Sequence, residues 1–147
     1  MRTINYIENM EQWRSEFTFH IPVKVRFSET DMYGHVNNVS PFIYFEEARI
    51  DYIKHTGLLT DMASKDGAVI VADLQCDYLQ QIYFSEKLKM YVKTHSVGNS
   101  SFELHYMAIK DNGEIALTGR GRMVYFNPQT GRPQPLSESK KKLLVKN

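Results

Sequence analysis

Residues 26–49, RFSETDMYGHVNNVSPFIYFEEAR, restrict what this chain can fold into more than any other stretch. An alternating apolar run leads in, a polar loop interrupts it, and a helical pattern follows. The loop gathers Glu29, Thr30, Asp31, His35, Asn37 and Asn38 within ten residues. These side chains stand just ahead of a helix N-terminus, where backbone N–H groups lack partners inside the helix. A carboxylate beside oriented N–H donors is what attack on a carbonyl requires. Turn and cap chemistry accounts equally well for Thr30-Asp31 and Asn37-Asn38, because Asx residues favour such positions. Loop composition alone therefore names no substrate.

Ahead of the loop, residues 17–27 alternate Phe17, Phe19, Ile21, Val23, Val25 and Phe27 with polar positions. Period two predicts a half-buried strand, with Pro22 near its edge or start and His20 on the solvated face. Behind the loop, Ser40 as cap and Pro41 as first helical residue open a helix that Gly57 closes. At about 100° per residue, Glu47, Asp51 and Lys54 share one narrow face. Apolar residues from Phe42 to Ile53 fill most of the remainder. An arc that wide is too much for a helix lying on a flat sheet. It predicts a helix wrapped by a curled sheet plus a neighbouring subunit. Glu46 and Arg49 fall inside the arc at a spacing that lets them pair. They read as a buried ion pair, or Glu46 reads as a carboxylate supporting the loop; neither reading makes Glu46 a surface charge.

Residues 1–17 read as a short helix or a lead-in, and 58–67 as a connection. Strand patterns then cover 68–79, 86–97, 100–110 and 114–127, with hairpin signals at Gly98-Asn99 and Asn112-Gly113. In the last run, Gly119 and Gly121 share one face, where a helix can come close, and Arg120 and Arg122 share the other, where an anion can be met. Ser137 caps a basic tail whose Lys140–Lys142 run reads as solvated. The expected fold is α+β: one antiparallel sheet of about five strands around a single long helix. One domain over 1–147 is expected, with its core at about 17–127 and a C-terminal tail at 128–147.

Several chemistries are absent from the sequence. There is no GxSxG elbow, no GxxxxGK(S/T) phosphate loop, no HExxH and no paired CxxC. Gly119 and Gly121 lack the third glycine and the strand-to-helix turn of a dinucleotide site. Cys76, the single cysteine, excludes an intrachain disulfide and reads as core. Eighteen basic against seventeen acidic residues give a net charge of +1, which offers no global field for nucleic acid. The N-terminus carries no apolar stretch of the signal-peptide kind, and no apolar run is long enough to span a bilayer. A soluble cytoplasmic protein is expected.

The 26–49 segment, with its TDMYGHVNN and YFEEAR elements, resembles hotdog-fold thioesterases of the branch related to 4-hydroxybenzoyl-CoA thioesterase and bacterial acyl-CoA thioesterases. It is similar also to the HVNN segment of plant acyl-ACP thioesterases. The resemblance covers roughly residues 17–127. It implies a five-stranded antiparallel sheet around a central helix, and a dimer or tetramer with active sites at the subunit interface. The implied reaction is hydrolysis of an acyl-CoA thioester to the free acid and CoA. Asp31 matches the catalytic aspartate, as nucleophile or general base. Asn37 and Asn38 match the backbone donors that polarise the carbonyl, and His35 matches a histidine that is catalytic in the plant enzymes or loop-ordering in bacterial ones. Tyr33, Gly34, Asn37, Glu46, Arg120 and Arg122 are the implied substrate contacts, with Lys87, Lys89 and Lys93 as further cations for the CoA phosphates. Two departures stand out: Tyr33 where the plant enzymes carry asparagine, and Gln80-Gln81 where many relatives carry proline. No metal and no cofactor beyond CoA as part of the substrate is implied. Rival readings are an acyl-ACP thioesterase, a non-catalytic acyl-binding protein of the same fold and a hotdog dehydratase. Phe42, Tyr44, Phe45 and Tyr78 line an acyl tunnel or else fill core.

Overall fold

The apolar periodicities become elements much as expected in this computed structural model, which describes residues 3–59 and 64–146. The order is α1 (Met10–Ser15), β1 (Phe19–Lys24), a 3-10 turn (Phe27–Glu29), α2 (Ser40–Thr56), β2 (Ala68–Tyr78), β3 (Lys87–Val97), β4 (Ser101–Lys110), β5 (Ile115–Asn127), β6 (Arg132–Pro133) and α3 (Glu138–Val145). The expected connection at 58–67 lies partly outside the described residues, at 60–63. All strand pairs are antiparallel, in the order β1-β3-β4-β5-β2, and β6 adds to β5 at Phe126 and Asn127. The curled sheet carries α2 on one face, which is the α+β hotdog arrangement. Among the described residues, no helix is long and apolar enough to cross a membrane.

Helix α2 buries Tyr44, Phe45, Ala48, Tyr52 and Ile53 against the inward residues of β3, β4 and β5. The ring of Phe45 stacks on Tyr106 at 4.5 Å. It also lies where a side chain at position 119 would have to go: a Cβ on Gly119 would come within 2.5 Å of Phe45 Cζ. The glycine face of β5 therefore sets how close helix and sheet come. Gly57 ends the helix in the left-handed region, at φ 85°, with its N–H on the Lys54 carbonyl. Tyr44 and Phe45 are core residues, not tunnel walls.

Two expectations about α2 need correction. Glu46 is exposed and does not pair with Arg49. Arg49 is the buried member, and its Nη1 donates to the Tyr106 hydroxyl at 3.2 Å. The reason is rotational: Arg49 lies one turn from Phe45 on the stripe facing the sheet. Glu46 follows the stripe of Val39 and Ile43, which the sheet leaves uncovered. Strand β1 is also shorter than its alternation suggested. It stops at Lys24, and Phe27 enters the 3-10 turn with its ring in solvent.

The other face of the sheet is covered too. Ile4, Ile7, Trp13 and Phe17 pack on Met107, Ile109 and Ile115 as a second apolar cluster. The lead-in is thus a lid over the outer face, with α1 as its short helix. At the opposite end of the chain, the Ser137 hydroxyl accepts from the Lys140 N–H to cap α3. Leu136 and Leu144 join the main core, so packing draws on residues beyond 127.

Candidate active site

The polar loop folds back as a narrow hairpin laid against residues 82–83. Thr30 bridges Val36, His35 bridges Tyr83, and Val36 N–H donates to the Ile82 carbonyl at 2.7 Å. Asp31 N–H donates to the His35 carbonyl at 2.7 Å, and Gly34 N–H returns to the Asp31 carbonyl at 3.1 Å. Gly34 turns the chain at φ 79°, a conformation that favours glycine. Within this frame Asp31 Oδ1 accepts from the backbone N–H of Tyr33 at 2.8 Å and of His35 at 3.2 Å. The carboxylate is exposed but oriented, and among the described residues nothing donates to Oδ2. The His35 ring packs edge-on against Tyr83 at 4.9 Å and makes no hydrogen bond to Asp31. Its visible work is to order the loop. Tyr33 and Gly34 are exposed on the same turn.

The start of α2 shows which backbone donors remain available. Asn37 N–H donates to the Glu29 carbonyl at 2.8 Å. The Asn37 side chain then accepts, through Oδ1, from Val39 N–H at 3.0 Å and Ser40 N–H at 2.8 Å. Pro41 has no N–H, and Phe42 N–H donates to the Val39 carbonyl at 3.0 Å. What is left is Asn38 N–H, which has no acceptor among the described residues. Sequence reasoning placed the cap on Ser40 and shared the carbonyl-binding role between Asn37 and Asn38. The cap acceptor is Asn37, because an Asn oxygen reaches the N–H groups two and three residues on. Its own N–H is engaged, so the unengaged donor at this helix start is Asn38 N–H. The spacing of Asn37 to the first helical residue was the available sequence signal.

Two supports carried no such signal. Glu29 is buried at the foot of the loop, and its Oε1 accepts from Arg26 N–H at 2.8 Å and from the Tyr44 hydroxyl at 2.9 Å. Arg26 Nη2 donates to its Oε2 at 3.2 Å. Burial pushes this carboxyl's pKa up, but the Arg26 N–H, the Tyr44 hydroxyl and the Arg26 charge outweigh it and hold it below the usual range. Burial, with Glu29 beside it, pushes the Tyr44 phenol up. The second support is Tyr78, at the end of β2, whose hydroxyl donates to the Asn38 carbonyl. Beside it lies a cavity of about 190 Å³ lined by Val36, Pro41, Tyr78, Leu79, Ile82 and Leu117, with Gln80 and Gln81.

The expected phosphate cations differ in their surroundings. Arg120 and Arg122 are on the sheet face opposite α2. Arg120 is held between Glu103 at 2.9 Å and Asp73 at 3.0 Å. Lys93 is buried and paired with Glu16 at 2.5 Å, whereas Lys87, Lys89 and Arg122 are exposed. On that outer face His95, Glu103 and His105 bring ligand-type atoms within 4.8 Å of one another. They do not fit a metal ion. Trp13 Nε1 donates to His105 Nδ1 at 2.8 Å, which leaves the proton on Nε2, facing Glu103 at 2.7 Å. Both ring nitrogens are then in use.

Comparison with known proteins agrees with this fold. The profile of the thioesterase-like superfamily matches residues 25–144. The YsmA protein of Bacillus subtilis (strain 168) is 44% identical over 135 residues, covering 92% of this chain and 90% of that protein. The 1,4-dihydroxy-2-naphthoyl-CoA hydrolase of Prochlorococcus marinus (strain NATL2A) is 28% identical over 123 residues, covering 78% and 79%. A thioesterase from Thermus thermophilus, solved in complex with coenzyme A and Zn, superposes with a TM-score of 0.74 at 31% identity, covering 86% of this chain and 92% of that one.

Proposed function

The chain belongs to the thioesterase-like superfamily, and from that premise we propose that it hydrolyses an acyl-CoA thioester to the free acid and CoA. The observation that carries this reading is the pairing of an oriented, half-engaged Asp31 carboxylate with the free Asn38 N–H. Asp31 either adds to the thioester carbonyl or takes a proton from the water that adds. In both routes negative charge grows on the carbonyl oxygen, where Asn38 N–H donates to it at a helix N-terminus. The C–S bond then breaks, and the CoA thiolate leaves and is protonated. Where Asp31 itself has added, a water then hydrolyses the resulting mixed anhydride, releasing the free acid and restoring the Asp31 carboxylate. The apolar cavity beside Tyr78 is the place for the acyl group. Its 190 Å³ is close to the roughly 150 Å³ that accommodates benzene, so a single ring or a short chain fits best. A relative that acts on an aromatic acyl-CoA and one that binds CoA support the substrate class.

The assembly proposed with it is a dimer formed through the free edge of β2. Strand β1, the other edge, is six residues long and carries Pro22 and Lys24, devices that discourage pairing. Strand β2 is eleven residues long, has neither, and exposes Ile70 and Val71. A second copy on that edge would also cover the bare stripe of α2 at Val39, Ile43 and Glu46.

The test is thiol release from a panel of aliphatic and aromatic acyl-CoAs, comparing wild type with Asp31→Asn. The variant is expected to lose about 10²- to 10⁴-fold in kcat with circular dichroism and assembly unchanged. Equal rates for the two proteins would remove Asp31 from the mechanism. A wild type that releases no thiol from acyl-CoA or acyl-ACP would overturn the hydrolase reading.

A further inference from the structure

We propose that Glu29 is a positioning residue for thioester hydrolysis, pinning the loop to α2 so that Asn38 N–H and Asp31 meet the same carbonyl. The inference rests on the thioesterase reading of this loop. Glu29 acts in two directions at once. Its backbone carbonyl engages Asn37 N–H at 2.8 Å, on one side of Asn38. Its carboxylate takes the hydroxyl of Tyr44, a buried residue in the first turns of α2, on the other side. Asp31 follows two residues later, so the peptide that carries Asp31 starts from a fixed point. Asn37, held this way, uses its side chain for Val39 and Ser40 and leaves Asn38 as the free donor.

Geometry, not charge, is the operative quantity. Glu29 is 6% exposed and its oxygens are occupied, so it cannot reach a substrate carbonyl. Both bonds that fix the loop, from Arg26 N–H and from Tyr44, converge on Oε1. An amide oxygen in the same place accepts both. The remaining partner, the Arg26 guanidinium, is 68% exposed and can turn to water when the carboxylate is replaced. Glutamine should therefore substitute where alanine cannot.

The experiment measures kcat and KM on the best acyl-CoA for wild type, Glu29→Ala, Glu29→Gln and Tyr44→Phe, with Asp31→Asn as reference, together with hydrogen exchange at the Asn37 amide. A displacement on the scale of an ångström costs about 100-fold, so Glu29→Ala is expected to lose about that in kcat. KM should stay within about threefold, the pattern of an interaction felt in the transition state. The Asn37 amide should exchange faster in Glu29→Ala. Glu29→Gln should recover most of the rate and the protection, and Tyr44→Phe should fall between. Wild-type kcat in folded Glu29→Ala overturns the proposal. So does a Glu29→Gln variant as inactive as Asp31→Asn, since charge would then be required. If Glu29→Ala does not fold, Tyr44→Phe decides: an unchanged kcat and unchanged Asn37 exchange refute the pinning. An active Asp31→Asn is a separate failure, of the thioesterase reading itself, and leaves the exchange data to judge the anchor.

Discussion

A missing methyl group decides how closely α2 sits against the sheet. The ring of Phe45 occupies the space above Gly119, and the nearest alternative room is taken by the Gln75 carbonyl, 3.1 Å from the position of a Cβ. Gly119→Ala must therefore push the Phe45 ring out of its stack on Tyr106. Overpacking of this kind costs about 1–3 kcal/mol, and urea unfolding should show it as a lower midpoint with the slope unchanged. Adding Phe45→Leu, which vacates the ring volume, should recover part of the loss. Purely additive effects would mean that the clash is relieved elsewhere. A neighbouring case shows how local chemistry is shared out. Asn37 commits its side-chain oxygen to Val39 and Ser40 and its backbone N–H to Glu29, and the next residue inherits the open N–H.

Helix α1 is attached through a buried polar chain as well as through apolar contact. Trp13 donates to His105, His105 to Glu103, and Glu103 accepts from Arg120, which Asp73 also holds. Burial pushes His105 down from 6.5 to about 4, with the nearby His95 and Lys93 charges acting in the same sense and Glu103 against them. The unfolded chain then binds the extra proton first. Stability from this site is complete above about pH 6.5 and is lost progressively as pH falls toward 4. Glu103, whose carboxyl is pushed up by burial but held low overall by Arg120 and His105, weakens in the same direction as it is protonated. Trp13 is the only tryptophan, so its emission should shift to the red over this range before the far-ultraviolet circular dichroism of the sheet changes. His105→Phe should remove the shift, and constant emission down to pH 4 would show that α1 does not depend on this bond. Much of the element order was legible from local pattern: alternation for the strands, the 3.6-residue period for α2, Gly57 and Ser137 for helix ends. The lid role of residues 3–17 was not, because Trp13 and His105 are 92 positions apart and no local pattern points from one to the other. The orientation of Glu46 and Arg49 was misread because two residues three apart share a helix face only approximately. The loop's chemistry was visible in its residue types, but its division of labour depended on Glu29, Tyr44 and Tyr78, whose contacts close over distances no window spans.

Among the described residues the sheet ends in one protected edge, β1, and one longer edge without such protection, β2. Placing Lys at both Ile70 and Val71 should blunt β2 as Lys24 and Pro22 blunt β1. Light scattering should then report a monomer, and because Tyr78, at the end of the same strand, holds the Asn38 carbonyl, thiol release should fall with assembly. A wild type that is monomeric at micromolar concentration, or a double variant that remains dimeric, would rule this edge out. The lid over the outer face has a further consequence, in time. Ile4, Ile7, Trp13 and Phe17 leave the ribosome before any of their partners on β4 and β5 exist. At about 5–20 residues per second, the 92 positions between Trp13 and His105 amount to roughly 5–18 s. During that interval the leading segment lacks its native contacts with β4 and β5. It is the part of the newborn chain most open to a chaperone, or to the same segment of a neighbouring chain on the same message.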